Sequence, residues 1–211
     1  LGTRSWNLVV DATEWNGVNT TFTLFDATTL TGTFDSTNIT GASGSISYDG
    51  NNDVILTLVK TSTDYYWDND GDTAGFGTAA GTWAVPTTGD ATQGWSTDST
   101  GETLPGNVTT TDDVLYFGTA AAGLGAGGVT VSGTVEANRL NFGSASGDIT
   151  LSGGIIALGG DFPRIEVDNT SNTVSSAISN TVGILKKGSG TLTLSGDSSN
   201  YTGDTTIHAS G

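Results

Sequence analysis

Three carboxylates at alternate positions are the residues of this chain whose spacing most suggests metal chemistry. Asp68, Asp70 and Asp72 lie in a short polar stretch that contains glycine. Hard oxygen ligands at this spacing can wrap a calcium ion. The stretch is not an EF-hand, because Thr73 occupies the sixth position, where glycine is required, and Ala79 the twelfth. A solvated acidic turn is the simpler interpretation, and a calcium site is the alternative.

Aromatic residues are concentrated around the same acidic stretch. Tyr65 and Tyr66 precede Trp67, and Trp83 and Trp95 follow among polar residues. Aromatic faces can recognise the apolar faces of sugars. The three tryptophans are therefore the candidate ligand-binding residues of a carbohydrate-binding adhesin. The simpler alternative is that these rings cap one end of the fold or fill a small core.

Residues for catalysis are scattered along the chain. His208 is the single histidine, and no nucleophile motif or placed acid accompanies it. Four glutamates that could pair for glycoside hydrolysis lie in unrelated local contexts: Glu14, Glu102, Glu136 and Glu166. The chain has no cysteine, which excludes disulfides, Cys-ligated zinc and thiol catalysis. We predict that the protein is not an enzyme and assign no catalytic residue.

The charge balance excludes one class of partner. The chain has 211 residues with 22 acidic and 6 basic side chains, giving a net charge of -16. Such a chain repels phosphate backbones, so we expect no nucleic-acid partner. No apolar stretch approaches the roughly 18 residues that a membrane helix requires. We therefore predict no membrane span.

Short alternating runs predict an all-β protein. Only 13% of the residues are charged, and the polarity comes from Thr, Ser, Asn and 32 Gly, a mixture suited to strands and tight turns. No segment carries apolar residues at a helical period. The predicted strands include Thr21–Phe25, Gly44–Tyr48, Val54–Val59, Val129–Val131, Asp148–Leu151 and Thr191–Leu194.

The pattern divides the chain into three zones. Residues 1–60 are rich in strands and include a wet turn at residues 49–53, and residues 61–117 contain the aromatic cluster. In residues 118–211 short apolar pairs recur every 7 to 13 residues or so, which predicts coils of roughly 20 residues in a β-solenoid. Leu192 and Leu194 are predicted to point inward. The alternative is a set of β-sandwich modules, which also use closely spaced strands.

The end of the chain carries a recognisable motif. Residues 183–196 read GILKKGSGTLTLSG, and residues 200–207 read NYTGDTTI. These segments resemble the autotransporter-associated β-strand repeat (PATR-type) of bacterial surface passengers, although here Tyr201 follows Asn200 directly. More loosely, residues 1–60 resemble the closing block of such passengers, and residues 61–117 the opening region. The resemblance implies a right-handed parallel β-helix, at the bacterial cell surface or outside the cell.

Three functions are compatible with this resemblance. The first is a structural element that self-assembles into a fibre, stalk or sheath, with head-to-tail contacts between copies because strand edges at the ends of a solenoid need partners. The second is an adhesin that binds surface glycans through Trp67, Trp83 and Trp95. The third, and weakest, is a β-helix that degrades polysaccharides. Calcium is the one cofactor that the residues suggest.

Overall fold

Strands are the regular elements of the described part of the chain, and turns and loops connect them. The computed structural model describes residues 5–12, 15, 20–40, 42–60, 62–85, 94–160, 163–197 and 200–208. Within these ranges there is no helix, and hence none that is long and apolar enough to cross a membrane. The chain forms two compact units, Leu1–Thr61 and Ser62–Gly211. The predicted all-β class is confirmed.

The first unit contains two small sheets. Strands β1 (Asn7–Asp11) and β3 (Ser36–Thr40) form a parallel pair. Strand β5 (Val54–Val59) is the centre of an antiparallel sheet, between β2 (Thr21–Phe25) and β4 (Ser43–Tyr48). Alternate residues of β5 are buried, as its apolar alternation requires.

The turn between β4 and β5 is held by a single carboxylate. Asp49 Oδ1 accepts hydrogen bonds from the backbone N–H groups of Asn51 and Asp53, each at 2.9 Å. Asn52 has a φ of 72°, a left-handed conformation that asparagine tolerates better than most residues. The wet turn predicted at residues 49–53 is therefore a hairpin connection.

The second unit contains thirteen of the strands. They are β6 (Asp64–Trp67), β7 (Thr82–Ala84), β8 (Trp95–Ser96), β9 (Val114–Phe117), β10 (Gly127–Ala137), β11 (Arg139–Phe142), β12 (Ile149–Leu158), β13 (Arg164–Val167), β14 (Ser171–Val174), β15 (Ala177–Ser179), β16 (Ile184–Lys187), β17 (Thr191–Leu194) and β18 (Thr205–Ile207). One sheet has the order β7-β10-β12-β14-β17, with β15 also on β12, and the other has the order β8-β6-β9-β11-β13-β16-β18.

These strands stack in parallel coils. Gly127 pairs with Ile149, 22 residues later, and Arg139 pairs with Arg164, 25 residues later. The register of β10 on β12 shifts between Val131 and Thr134, so each of these long strands contributes two segments to its coil. The result is a β-solenoid of about four turns. The predicted coil length of roughly 20 residues agrees with this geometry.

In-register pairing places each inward side chain over an inward side chain of the next coil. Val129 pairs with Leu151, and Leu151 with Val174, and none of the three is exposed. Leu194 continues this column opposite Val174 but is 45% exposed. Leu192 is partly buried. Both leucines thus lie on the predicted inward face, but β17 has a single strand neighbour among the described residues, so Leu194 gains little burial.

The column makes a prediction about stability. Leu151→Ala should lower the free energy of unfolding by about 2–5 kcal/mol, because it leaves a cavity between two coils. Leu194→Ala should cost about 1 kcal/mol or less, because the side chain is already half in water. Urea unfolding followed by circular dichroism measures both. Equal losses for the two variants would contradict the assigned column.

Candidate functional site

The three tryptophans of the sequence prediction meet inside the second unit. Trp67 on β6, Trp83 on β7 and Trp95 on β8 are each at most 1% exposed. Trp95 lies edge-to-face with both others, with ring centroids 5.1 Å from Trp67 and 5.3 Å from Trp83. Such T-shaped pairs are favourable because the positive edge of one ring meets the negative face of the other.

The tryptophan cluster continues into the solenoid. Trp95 contacts Phe117 at a centroid distance of 5.4 Å, and Phe117 stacks on Phe142 at 5.0 Å. All of these rings belong to one hydrophobic core that extends through the coils as far as Ile184. The rings therefore fill the core at the β6 end of the coils. In this structure the three tryptophans are buried against neighbouring side chains, and their predicted role in ligand binding stays a prediction.

Asp68 is a buried polar residue beside this cluster. It directly follows Trp67 and is completely buried, and its N–H donates to the carbonyl oxygen of Gly94 at 2.8 Å. Its Oδ1 accepts a hydrogen bond from the N–H of Asp70 at 3.1 Å. Its Oδ2 is buried and has no hydrogen-bond partner among the described residues. Leaving a buried carboxylate oxygen unpaired is costly, because the lost contact with water is not replaced.

Another buried carboxylate of the same unit shows the contrast. Asp113 is 6% exposed, and both of its side-chain oxygens have partners. Oδ1 accepts from the N–H of Thr63 at 3.2 Å, and Oδ2 accepts from the N–H and the hydroxyl of Thr110 at 2.7 and 2.8 Å. Asp113 is thus a structural carboxylate that ties loops together. Asp68 is not satisfied in this way.

The surroundings of Asp68 favour its neutral form. The pKa of Asp68 is raised to about 6 from an ordinary value of 3.8, and burial is the largest cause. The neighbouring carboxyl of Asp70 contributes to this rise, through a side-chain hydrogen bond that requires a proton and through charge repulsion. Hydrogen bonds from the backbone N–H groups of Asp70 and Gly71 oppose these effects. The carboxyl of Asp68 therefore keeps its proton to a higher pH than an ordinary aspartate does.

The structure brings together two of the three predicted calcium ligands. Asp68 and Asp70 are neighbours, whereas Asp70 and Asp72 are both exposed. Across the described ranges, no three His, Cys, Asp or Glu side chains converge in a way that could hold a metal ion. The calcium site at Asp68, Asp70 and Asp72 stays a prediction, and its geometric support is limited to one carboxyl pair.

A cavity of about 310 Å³ adjoins Asp68. Its polar lining comes from Asp68, Asn69 and Thr82, and its apolar lining comes chiefly from Trp67, Leu104 and Pro105. Gly94, which also lines the cavity, packs on Trp67 so closely that an added Cβ would lie 3.0 Å from the indole ring. The sequence had no signal for this cavity, because its walls come from four segments that are separated along the chain.

The terminal motif holds the corner between β16 and β17. Lys186 Nζ donates hydrogen bonds to the carbonyl oxygens of Gly188 and Gly190, the latter at 2.6 Å. A Cβ at Gly190 would lie 2.0 Å from the carbonyl oxygen of Asn169 on the preceding coil, so glycine is required there. The K-x-G-x-G pattern therefore has a structural role, in which the lysine donates hydrogen bonds to carbonyl groups of its own turn.

The second half of the motif closes the next turn. The hydroxyl of Tyr201 donates to the carbonyl oxygen of Asp204 at 2.7 Å and lies 2.7 Å from the hydroxyl of Thr205. A Cβ at Gly203 would lie 2.1 Å from the backbone nitrogen of Gly183. Tyrosine, glycine and threonine at these positions thus determine where β18 begins.

Comparisons with known proteins agree with this structure. Residues 184–211 match the passenger-associated-transport-repeat family. Over 143 residues, or 68% of its length, the chain is 33% identical to the "Adhesin BmaC autotransporter" of Brucella suis biovar 1 (strain 1330), and it spans 4% of that protein. No solved structure matches the chain.

The fold is a parallel β-solenoid, and the motif near the end of this solenoid is similar to that of bacterial passengers. The chain contains a passenger-associated-transport-repeat, which confirms the predicted resemblance to autotransporter passengers. The repeat and the adhesin relative also support the predicted location, at the bacterial cell surface or outside the cell.

The raised pKa of Asp68 predicts how pH acts on stability. The folded state holds the Asp68 proton up to about pH 6, whereas the unfolded chain releases it near 3.8. Between these values the folded state binds more protons, so this residue lowers stability as the pH rises. Asp68→Asn should remove that loss. The free energy of unfolding of Asp68→Asn relative to that of the parent should increase, on the order of 1 kcal/mol, from pH 4 to pH 7.

Urea unfolding at several pH values measures this difference. Asp72→Asn is the matched control, because it removes the same charge from an exposed position of the same stretch. A difference in free energy of unfolding between Asp68→Asn and the parent that is constant from pH 4 to pH 7 would show that Asp68 has no raised pKa in the folded protein.

Proposed function

We propose that this chain is a segment of a surface-exposed bacterial passenger that mediates adhesion and is not an enzyme. The observation that carries the proposal is the stack of in-register parallel coils that ends in a passenger-associated-transport-repeat. The similar Brucella protein is described as an adhesin, which favours adhesion over a purely structural role.

The outer face of the coils has the chemistry of a contact surface. Thr150 pairs with Thr173, and Thr173 with Thr193, so hydroxyl groups form a row across three coils. The residues that flank these threonines along each strand lie on the inward face. Thr150 and Thr193 are exposed and Thr173 is half-buried. Such a row offers hydrogen-bond donors and acceptors without charge. It suits a neutral polar partner such as a surface glycan.

Adhesion is testable with the chain itself. We expect fluorescently labelled chain to bind animal cells or immobilised glycans with saturation, and heat-unfolded chain to lack this binding. The measurement is binding as a function of concentration, with release of soluble sugar monitored in parallel. Absence of saturable binding would contradict adhesion, and catalytic release of sugar would favour the polysaccharide-degrading alternative.

Self-association is a second candidate role, supported by two strands that have one neighbour each in the described part of the chain. Among the described residues, β17 pairs with β14 alone and β18 with β16 alone. Leu194 and Ile207, on these strands, are 45% and 74% exposed. An open edge with exposed apolar residues is a template for another strand. Copies of the chain that meet head to tail at this edge would form an open filament, because such a contact does not close on itself.

A charged substitution on an edge strand tests self-association independently of adhesion. We expect sedimentation velocity to show larger species as the concentration of the parent rises, and Ile207→Lys to reduce them, because lysine blocks edge pairing. Val182→Lys is the matched control, since Val182 is 66% exposed but lies outside the edge strands. A parent chain that stays monomeric at all concentrations would rule out the head-to-tail contact.

A further inference from the structure

The unpaired oxygen of Asp68 points to a missing hydrogen-bond donor. Asp68 is fully buried as a residue, and its Oδ2 has no partner in the described part of the chain. The same residue lines the cavity of about 310 Å³. A donor on a ligand in that cavity would supply the contact to Oδ2 that no described residue makes.

The size of the cavity restricts the ligand. Small-molecule sites begin at roughly 300 Å³, so this cavity lies at the lower limit. It is about ten times the roughly 30 Å³ that one water molecule occupies in the liquid, and is therefore roomy for a bare cation. It suits a single six-membered ring.

The lining restricts the chemistry of that ring. Asp68, Asn69 and Thr82 provide polar groups, while Leu104 and Pro105 provide apolar contact. Asp68 and a net charge of -16 disfavour an anionic ligand. A sugar ring combines hydroxyl donors with apolar C–H faces, and thus matches both sides of the lining.

We propose that this cavity binds one neutral pyranose unit, with Asp68 accepting hydrogen bonds from its hydroxyl groups and Leu104 and Pro105 contacting its apolar face. Trp67 is buried and contributes the part of its ring that borders the cavity. The proposal rests on the proposed adhesive function and gives it a specific site. This site differs from the platform of Trp67, Trp83 and Trp95 that the sequence suggested.

A second cavity, of about 400 Å³, is less informative. Trp83, Val108, Val135 and Glu136 are among its lining residues. The Trp83 indole N–H donates to Thr109 at 3.3 Å, and Glu136 is exposed. None of its described lining residues has a buried polar atom without a partner. This cavity therefore has no feature that calls for a ligand.

The test uses the whole chain and free sugars as probes. Saturation-transfer NMR and calorimetry with glucose, galactose, mannose and N-acetylglucosamine should detect binding of at least one sugar. Asp68→Asn should weaken that binding tenfold or more, because an amide replaces the acceptor pair. Leu104→Ala should weaken it by a smaller factor through lost apolar contact, and its folding should be unaffected because Leu104 is 73% exposed.

Controls separate the possible outcomes. Asp72→Asn should bind as the parent does, and near-UV circular dichroism checks that each variant is folded. Binding of none of the four sugars, or equal affinity in folded Asp68→Asn, would overturn the proposal. So would a melting temperature that millimolar calcium raises in the parent but not in Asp68→Asn, in the absence of any sugar effect, since the cavity would then be a cation site.

The same variants distinguish this site from adhesion as a whole. A parent that binds cells but none of the sugars overturns the site and leaves the adhesive function standing. A parent that binds a sugar through Asp68 but binds neither cells nor immobilised glycans supports the site and contradicts the adhesive function.

Discussion

The parallel pairing of one coil on the next is the constraint on which the rest of the second unit depends. Because the pairing is in register, an inward side chain always meets an inward side chain, as Leu151 does between Val129 and Val174. The coil backbones also approach so closely at the corners that Gly190 has no room for a Cβ against Asn169. The core sequence and the corner glycines therefore follow from one geometry, and a misfit in one coil is transmitted to its neighbours.

A stack of coils needs a cover where its apolar column begins, and the tryptophan cluster provides it. Trp67 and Trp95 contact Phe117, and Trp83 packs edge-to-face on Trp95. Strand β8 joins β6 in the antiparallel sense, unlike the other pairs of the unit. Asp68 directly follows Trp67 and is buried with it. The burial of this carboxyl is thus a consequence of the tryptophan packing at this end of the core.

Local pattern predicted the strands well and their surroundings poorly. The runs Thr21–Phe25, Val54–Val59 and Thr191–Leu194 have the bounds of β2, β5 and β17, because strand period and turn residues are local properties. Alternation carries no information about partner direction, so the antiparallel sheet around β5 could not be inferred from it. The burial of Asp68 was equally hidden, because an acidic stretch with glycine follows it in sequence while its burial comes from distant segments.

A repetitive solenoid restricts where specific recognition can arise. Along the middle coils some outward residues have a similar neighbour on the next coil, as in the row through Thr150, Thr173 and Thr193, so that part of the surface offers the same contact repeatedly. A buried carboxyl oxygen without a partner would be costly between two such coils, because apolar side chains would surround it on both sides. Beside the tryptophan cover the repeat is interrupted, and Asp68 instead adjoins a cavity. The repeated faces therefore suit many weak contacts with an extended partner, whereas the interrupted end is where one small ligand can be selected by shape and hydrogen bonding.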